Sequence, residues 1–157
     1  MRDHTYEVRM DWTGNAGSGT ASYQSYRRDF TIESAGKPLI AGSSDPAFHG
    51  DPTRYNPDEL LVASLSSCHM LWYLHLCSVN EVVVLSYSDH ATGAMKENPD
   101  GSGQFVSVRL NPKVTISHAD ALQRAEALHE EAHKLCFIAR SVNFPVEVVP
   151  QIEVAAV

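Results

Sequence analysis

Polar and apolar residues alternate along the first third of the chain, as they do in β-strands. Residues 5–12 (TYEVRMDW) and 20–34 (TASYQSYRRDFTIES) show this alternation, and the glycine-containing NAGSG at 15–19 predicts a hairpin turn between them. Residues 37–42 (KPLIAG) predict a short third strand. The stretch 42–57 is rich in Gly, Pro, Ser and Asp, which is typical of a loop.

The longest apolar stretch predicts a central helix that begins at Asn56. Asn56 suits the N-cap, Pro57 suits the first helical position, and Glu59 is placed to complete a capping box. Apolar residues surround the helix on most sides until residues 78–80, which predicts a buried helix. Between residues 60 and 76 it carries three serines, two histidines and a cysteine, and it lacks basic flanks, so we do not expect it to span a membrane.

The second half of the chain predicts more strands and a second helix. Residues 81–95 and 103–116 predict two strands of a hairpin around ENPDGSG at 97–103. Ser117 and Asp120 suggest a second capping box, and the helix after it has an apolar stripe made of Leu122, Ala125, Leu128, Ala132 and Leu135. NFP at 143–145 ends this helix, and 146–154 (VEVVPQIEV) predicts a last strand.

The predicted order is β-β-β-α-β-β-α-β, an α+β protein in which sheets wrap a buried helix. The length and the lack of linkers or repeats predict one domain over residues 1–157. The formal net charge of −7 argues against binding to nucleic acid or to anionic membranes.

The N-terminus has no continuous apolar segment, so no secretory signal is expected. The three cysteines, Cys68, Cys77 and Cys136, are odd in number and widely spaced, which argues against a secreted disulfide framework. Both observations favour the reducing cytoplasm. Cys77 is nine residues after Cys68 and faces the opposite side of the helix, so we interpret it as structural.

Cys68 lies about twelve residues into the central helix, which limits how it could be activated. A cysteine in such a place is often only a small buried apolar residue. The helix dipole acts over the first turn, so a reactive Cys68 needs a cation from another segment. Arg27 and Arg28 in YQSYRRDF are the candidates, although a solvated strand face also explains them.

Metal binding is the alternative chemistry. His129, His133 and Cys136 are spaced i, i+4 and i+7, and Cys68 or His69 could supply a fourth zinc ligand. However, HEEAH lacks the order of the H-E-x-x-H motif, and acidic neighbours favour a solvated face for His129. The alternative to an enzyme is thus a non-enzymatic α+β domain that binds zinc or a small hydrophobic molecule.

Two segments carry a resemblance to a known family. NPDELLVASLSSCHML (56–71) and AHKLCFIARSVNFPVEV (132–148), together with the strand order, resemble the OsmC/Ohr family of thiol-dependent hydroperoxide reductases. The resemblance implies an intertwined homodimer with active sites at the interface. It also implies the reduction of organic hydroperoxides to alcohols in stress defence, without a bound cofactor. The electrons would come from an external dithiol, for which the family suggests the dihydrolipoyl type.

The resemblance also assigns roles to residues. Cys68 corresponds to the peroxidatic cysteine and Cys136 to the resolving one, while Arg28, or else Arg27, corresponds to the catalytic arginine. Where the family has a glutamate that pairs with this arginine, the chain has Asp58, and Glu59 lies next to it. His69 is expected to be a satisfied buried or interface histidine.

Overall fold

A computed structural model describes residues 3–156 as two compact units, one up to Leu60 and one from Leu61. The first unit contains a three-stranded antiparallel sheet in the order β1-β2-β3. Its strands are β1 (Arg9–Trp12), β2 (Phe30–Glu33) and β3 (Ile40–Gly42). The three predicted strands are present, but each is shorter than the alternating pattern indicated.

The prediction of one long strand over residues 20–34 was wrong for its first ten residues. The Ser25 hydroxyl donates to the carbonyls of Gly19 and Ser22, at 2.8 and 2.9 Å. The Arg28 guanidinium donates to the carbonyls of Tyr23 and Tyr26, at 2.7 and 2.6 Å. These side chains bind carbonyl groups that a strand would pair with a neighbour, so the backbone turns instead. Arg28 therefore precedes β2 rather than lying in it.

The long helix α1 (Pro57–Val79) starts where the sequence predicted, because its capping box forms. The Asn56 side-chain oxygen accepts the Glu59 N–H at 2.8 Å, and the Glu59 carboxylate accepts the Asn56 N–H at 3.0 Å. By length and composition α1 could cross a membrane. Its residues Leu65, Tyr73 and Cys77 instead belong to the hydrophobic cores, so α1 is a core helix.

The predicted central hairpin is present but bent into two sheets of the second unit. It forms four strands: β4 (Val84–Asp89), β5 (Thr92–Glu97), β6 (Gly103–Leu110) and β7 (Pro112–Ile116), with β4 paired to β7 and β5 to β6. At the bend, the Asp89 carboxylate accepts the Asn111 N–H at 2.7 Å and the Asn111 amide donates to the His90 carbonyl at 2.8 Å. Hydrogen bonds from side chains thus replace the backbone hydrogen bonds between strands where the hairpin passes from one sheet to the other.

The second helix, α2 (Leu122–Leu135), follows a 3-10 turn at Ala119–Ala121. The predicted capping box of Ser117 and Asp120 is wrong: the Ser117 N–H donates to the Val83 carbonyl at 3.0 Å, and neither turn nor helix has a side-chain cap. Ser117 still pairs with the sheet, which delays the helix.

The last predicted strand is divided in two. A 3-10 turn at Ala139–Ser141 leads to β8 (Val146–Val148), which runs parallel to β6, and then to β9 (Gln151–Val154), which runs parallel to β7. The predicted α+β class and order of elements are therefore confirmed, with the bent hairpin and the divided last strand as the differences.

Two hydrophobic clusters fill the second unit. The larger one joins Tyr73 and Cys77 of α1 to Ala125 and Ala132 of α2 and to strands β4, β7 and β9, and the smaller one surrounds Leu65 of α1. Cys68 and His69 lie on α1 between Leu65 and Tyr73, at the junction of the two clusters.

Candidate active site

The two cysteines in question, 68 residues apart in the sequence, meet in the second unit. Cys68 lies mid-way along α1 and is half-buried, whereas Cys136 is the C-cap of α2 and is 1% exposed. Both are free thiols that lie close enough to interact. The Cys136 backbone is extended, and its N–H still donates to the Ala132 carbonyl at 3.0 Å, so the helix end fixes the direction of this side chain.

Cys136 is a protonated thiol at neutral pH. Burial, and then hydrogen bonding to Cys68, raises the pKa of the Cys136 thiol to about 11. The Ala139 N–H donates to the Cys136 sulfur at 3.4 Å and acts in the opposite direction. The pair thus places a buried thiol beside a thiol that solvent reaches.

Aromatic side chains lie next to both thiols. Trp72, one helical turn after Cys68, meets Phe137, the residue after Cys136, edge to face with ring centroids 5.5 Å apart. Phe137 is largely exposed. A reactant that approaches Cys68 therefore passes an apolar surface.

Cys77 has a different environment. It is 1% exposed and packs with Tyr73, Val82 and Val114 in the larger cluster. Burial raises the pKa of its thiol, which keeps it protonated and inert. Its interpretation as a structural residue agrees with this packing.

The candidate arginines lie in the first unit and both have local partners. The Arg28 guanidinium lies over the rings of Tyr23 and Tyr26, at 4.4 and 4.1 Å from their centroids. Arg27 forms an ion pair with the buried Asp29, at 3.3 Å between Nε and the carboxylate. The role of either arginine at Cys68 stays a prediction.

The candidate carboxylates Asp58 and Glu59 lie in the first turn of α1. The Glu59 carboxylate is bound to the Asn56 N–H in the capping box. Asp58 is half-buried and makes no side-chain hydrogen bond or ion pair among residues 3–156. Of the two, Asp58 is the carboxylate left to pair with an arginine.

Comparison with known proteins places the chain in a family. The profile of the family described as OsmC-like protein matches residues 49–150. The chain belongs to the OsmC family. An OsmC-like protein of unknown function from Vibrio cholerae is 34% identical, with a TM-score of 0.79 over 98% of this chain and 100% of that one.

More distant OsmC-family structures share the fold. An organic hydroperoxide resistance protein OsmC from Legionella pneumophila is 16% identical, with a TM-score of 0.63 over 96% of this chain and 99% of that one. The organic hydroperoxide resistance protein OhrB of Bacillus subtilis is also 16% identical, with a TM-score of 0.61 over 96% and 98%. A search of functionally curated proteins finds no significant match.

In this OsmC-family chain, His129 was named from the sequence only as a possible zinc ligand, and its burial was mispredicted. It was expected on a solvated face, but it is 3% exposed and its Nδ1 lies 3.0 Å from Nε2 of His69. Its spacing from Ala125 (four residues) and Ala132 (three residues) puts it on the apolar stripe, and this was the signal to use.

The zinc alternative finds no support in this geometry. Among residues 3–156, no three His, Cys, Asp or Glu side chains converge on a site that could hold a metal ion. His129 and Cys136 both face α1, where they meet His69 and Cys68.

Proposed function

We propose that this OsmC-family protein is a cytoplasmic thiol peroxidase that reduces organic hydroperoxides to alcohols. The single observation that supports it most is the pairing of Cys68, which solvent reaches, with the buried thiol of Cys136. Two thiols so arranged match the roles of a peroxidatic and a resolving cysteine. The names of the Legionella and Bacillus proteins, which concern resistance to organic hydroperoxides, agree with this proposal.

The reaction runs through Cys68 first. Its thiolate attacks one peroxide oxygen, the O–O bond breaks, and the departing alkoxide takes a proton to become the alcohol, which leaves a sulfenic acid on Cys68. The Cys136 sulfur then attacks the Cys68 sulfur, and its proton leaves with the hydroxyl group as water. An external dithiol of the dihydrolipoyl type reduces the resulting disulfide and is itself oxidised to a disulfide.

Arg28 supplies the positive charge in this proposal. A guanidinium carries charge at any biological pH and donates several hydrogen bonds, so it stabilises both the thiolate and the peroxide oxygen that leaves. Asp58 holds it, because the Glu59 carboxylate is engaged at the helix start. Two of the guanidinium nitrogens of Arg28 also donate to the carbonyls of Tyr23 and Tyr26.

The substrate is an apolar hydroperoxide rather than hydrogen peroxide. Trp72 and Phe137 stand beside the thiol pair and present apolar surface to a carbon chain. Burying such a chain contributes roughly 0.8 kcal/mol per CH₂ group, which hydrogen peroxide cannot gain.

The working form is a homodimer. Every second residue from Tyr6 to Trp12 (Tyr6, Val8, Met10 and Trp12) is a large apolar side chain that is exposed, which gives β1 and the segment before it an uncovered apolar face. Leu71 and Val79 of α1 are exposed as well. A second copy of the chain that covers these residues explains why they are apolar. Sedimentation at micromolar concentration should therefore show twice the mass of the chain. A monomer would contradict the dimer.

Substitution of Cys68 tests the function directly. Cys68→Ser should lower the turnover of tert-butyl hydroperoxide with a dithiol by at least about a hundredfold, because a hydroxyl is not ionised at neutral pH. Cys77→Ala is the matched control on the same helix and should stay within about twofold of the unaltered protein. Equal activity of Cys68→Ser and the control would rule the proposal out.

A further inference from the structure

Two buried histidines, one of which directly follows Cys68 in the sequence, join α1 to α2. His69 Nε2 lies 3.0 Å from His129 Nδ1, and the two rings are nearly parallel, at 9°. The side chains are 1% and 3% exposed. One ring therefore donates its proton to the other across the helix contact.

Tyr73 strengthens the same contact. Its ring stacks on the His129 ring with centroids 3.7 Å apart, and its hydroxyl donates to the Ala125 carbonyl at 3.1 Å. Residues 69 and 73 lie one turn apart on α1, so two successive turns of this helix are bound to α2 through polar atoms.

Filling a core with this histidine pair costs more free energy than filling it with apolar side chains. His69 Nδ1 and His129 Nε2 are buried and have no hydrogen-bond partner within the part of the chain that the structure describes. A buried polar atom without a partner costs roughly 1–3 kcal/mol, and two leucines would avoid that cost. Stability alone therefore does not explain the pair.

What the pair does provide is a defined register between the helices. The face of α2 beside His129 carries Ala125 and Ala132, both fully buried. Small apolar side chains allow one helix to slide on another, whereas a buried polar pair fits at only one register. A slip of one turn would move α2 by about 5.4 Å along α1.

The register matters because the thiols depend on it. On α1, Cys68 and Trp72 face Cys136 and Phe137, and the neighbouring residues His69 and Tyr73 face His129 and Ala125. A disulfide needs Cα atoms about 4.4–6.8 Å apart, so a slip of one turn would prevent the bond. His129 and Cys136 are seven residues apart, two turns of helix, and thus move together.

We propose that His69 and His129 are positioning residues, whose mutual hydrogen bond fixes α1 on α2 so that Cys136 reaches Cys68. The inference rests on the proposed redox role of this cysteine pair. It assigns the histidines no contact with the peroxide, and so predicts an effect on closure of the disulfide rather than on attack by Cys68.

The test measures disulfide closure without any peroxide. In a Cys77→Ala background, the protein dithiol is equilibrated with glutathione disulfide; each closure of Cys68–Cys136 releases two glutathione thiols, and the ratio at equilibrium gives the effective concentration of the pair. The double variant His69→Leu/His129→Leu keeps apolar filling and removes the hydrogen bond. Its effective concentration should fall at least about tenfold.

Two further variants distinguish the effect of the hydrogen bond, which positions the helices, from the effect of the side chains that fill the core. His69→Gln/His129→Gln retains a hydrogen bond across the contact and should stay within about threefold of the background protein. Tyr87→Phe is the matched control, because the Tyr87 hydroxyl is also buried without a partner among residues 3–156 but does not join the helices. It should change the equilibrium by less than about twofold.

A folded leucine pair with an unchanged effective concentration overturns the proposal. If the leucine pair does not fold, the glutamine pair decides: retained closure supports positioning, and a tenfold loss refutes it. Because glutathione exchange needs no peroxidase activity, a failure here is distinct from a failure of Cys68→Ser to lose turnover.

Discussion

Cys136 and Cys77 are equally buried, each 1% exposed, and in each case burial is the main cause that raises the pKa of the thiol. Their neighbours differ. Cys77 packs among apolar side chains such as Val82 and Val114, while Cys136 has a second sulfur beside it and receives the Ala139 N–H. Burial therefore does not distinguish the cysteine interpreted as structural from the one proposed to be redox-active. The atom that lies next to each sulfur distinguishes the two cysteines.

The position of the two cysteines relative to the cores explains the difference. Cys77 lies inside the larger cluster and is almost fully buried. Cys136 lies just beyond α2, where the chain passes from the larger cluster to Ile138 and Ala139 of the smaller one. Cys68 lies at the same junction on α1 and is half-buried.

Removing Cys136 should have the largest effect on this comparison. In Cys136→Ser, the Cys68 sulfenic acid has no partner, so excess peroxide should carry Cys68 to the sulfinic acid, a gain of about 32 Da. Cys77→Ala should form the 68–136 disulfide as the unaltered protein does. Peptide mass spectrometry after peroxide treatment checks both. A disulfide between Cys68 and Cys77 in the serine variant would show that burial in the core does not protect Cys77.

Removing the positive charge of Arg28, which is proposed to stabilise the Cys68 thiolate, should have the second-largest effect. Arg28→Ala should lower kcat/KM for an organic hydroperoxide by about a hundredfold, the usual cost of one lost donor to a developing oxyanion. The neighbouring variant Arg27→Ala loses only the exposed side of an ion pair with Asp29 and should stay within about threefold. Steady-state kinetics of both variants decide between the two arginines, and the reverse order of effects would assign the role to Arg27.

The histidine pair predicts a smaller, pH-dependent effect on stability. Burial, and then His133, lowers the pKa of His69 to about 4, with Asp89 opposing, and burial followed by His69 lowers the pKa of His129 to about 3. The folded chain keeps both rings neutral, whereas unfolded histidines bind protons below about pH 6.5. Stability present above pH 6.5 is therefore lost as the pH falls toward about 4, by up to about 1.4 kcal/mol per pH unit for each histidine.

Urea unfolding between about pH 7.5 and about pH 4.5 measures this loss. Other groups also titrate there, so the comparison is with His69→Leu/His129→Leu, which should show a clearly flatter dependence. Parallel curves for the two proteins would show that the histidines are already protonated in the folded chain.

Local sequence signals predicted the elements whose hydrogen bonds are local. Asn56 and Glu59 cap α1 as their spacing indicated, because both partners lie within one turn. The same kind of signal failed at Ser117, whose N–H goes to Val83 of a distant strand, and at the bend held by Asp89 and Asn111. A single sequence does not show which distant backbone group competes for a donor.

The candidate site was predictable in part for a similar reason. The contexts of Cys68 and Cys136 identified them as a pair, and the structure brings them together. The burial of His129 was not predicted, because its acidic neighbours in HEEAH outweighed its helical phase with Ala125 and Ala132. Its partner, His69, lies 60 residues earlier, and only the packing of α1 on α2 reveals the contact.

The central claim is that Cys68 and Cys136 form one redox pair, and the most direct measurement is the mass of the protein after one equivalent of an organic hydroperoxide. The account predicts a loss of about 2 Da that maps, without reduction, to a cross-linked peptide containing residues 68 and 136, with Cys77 still a free thiol. A gain of about 16 Da that persists on Cys68, or a disulfide that involves Cys77, would contradict it.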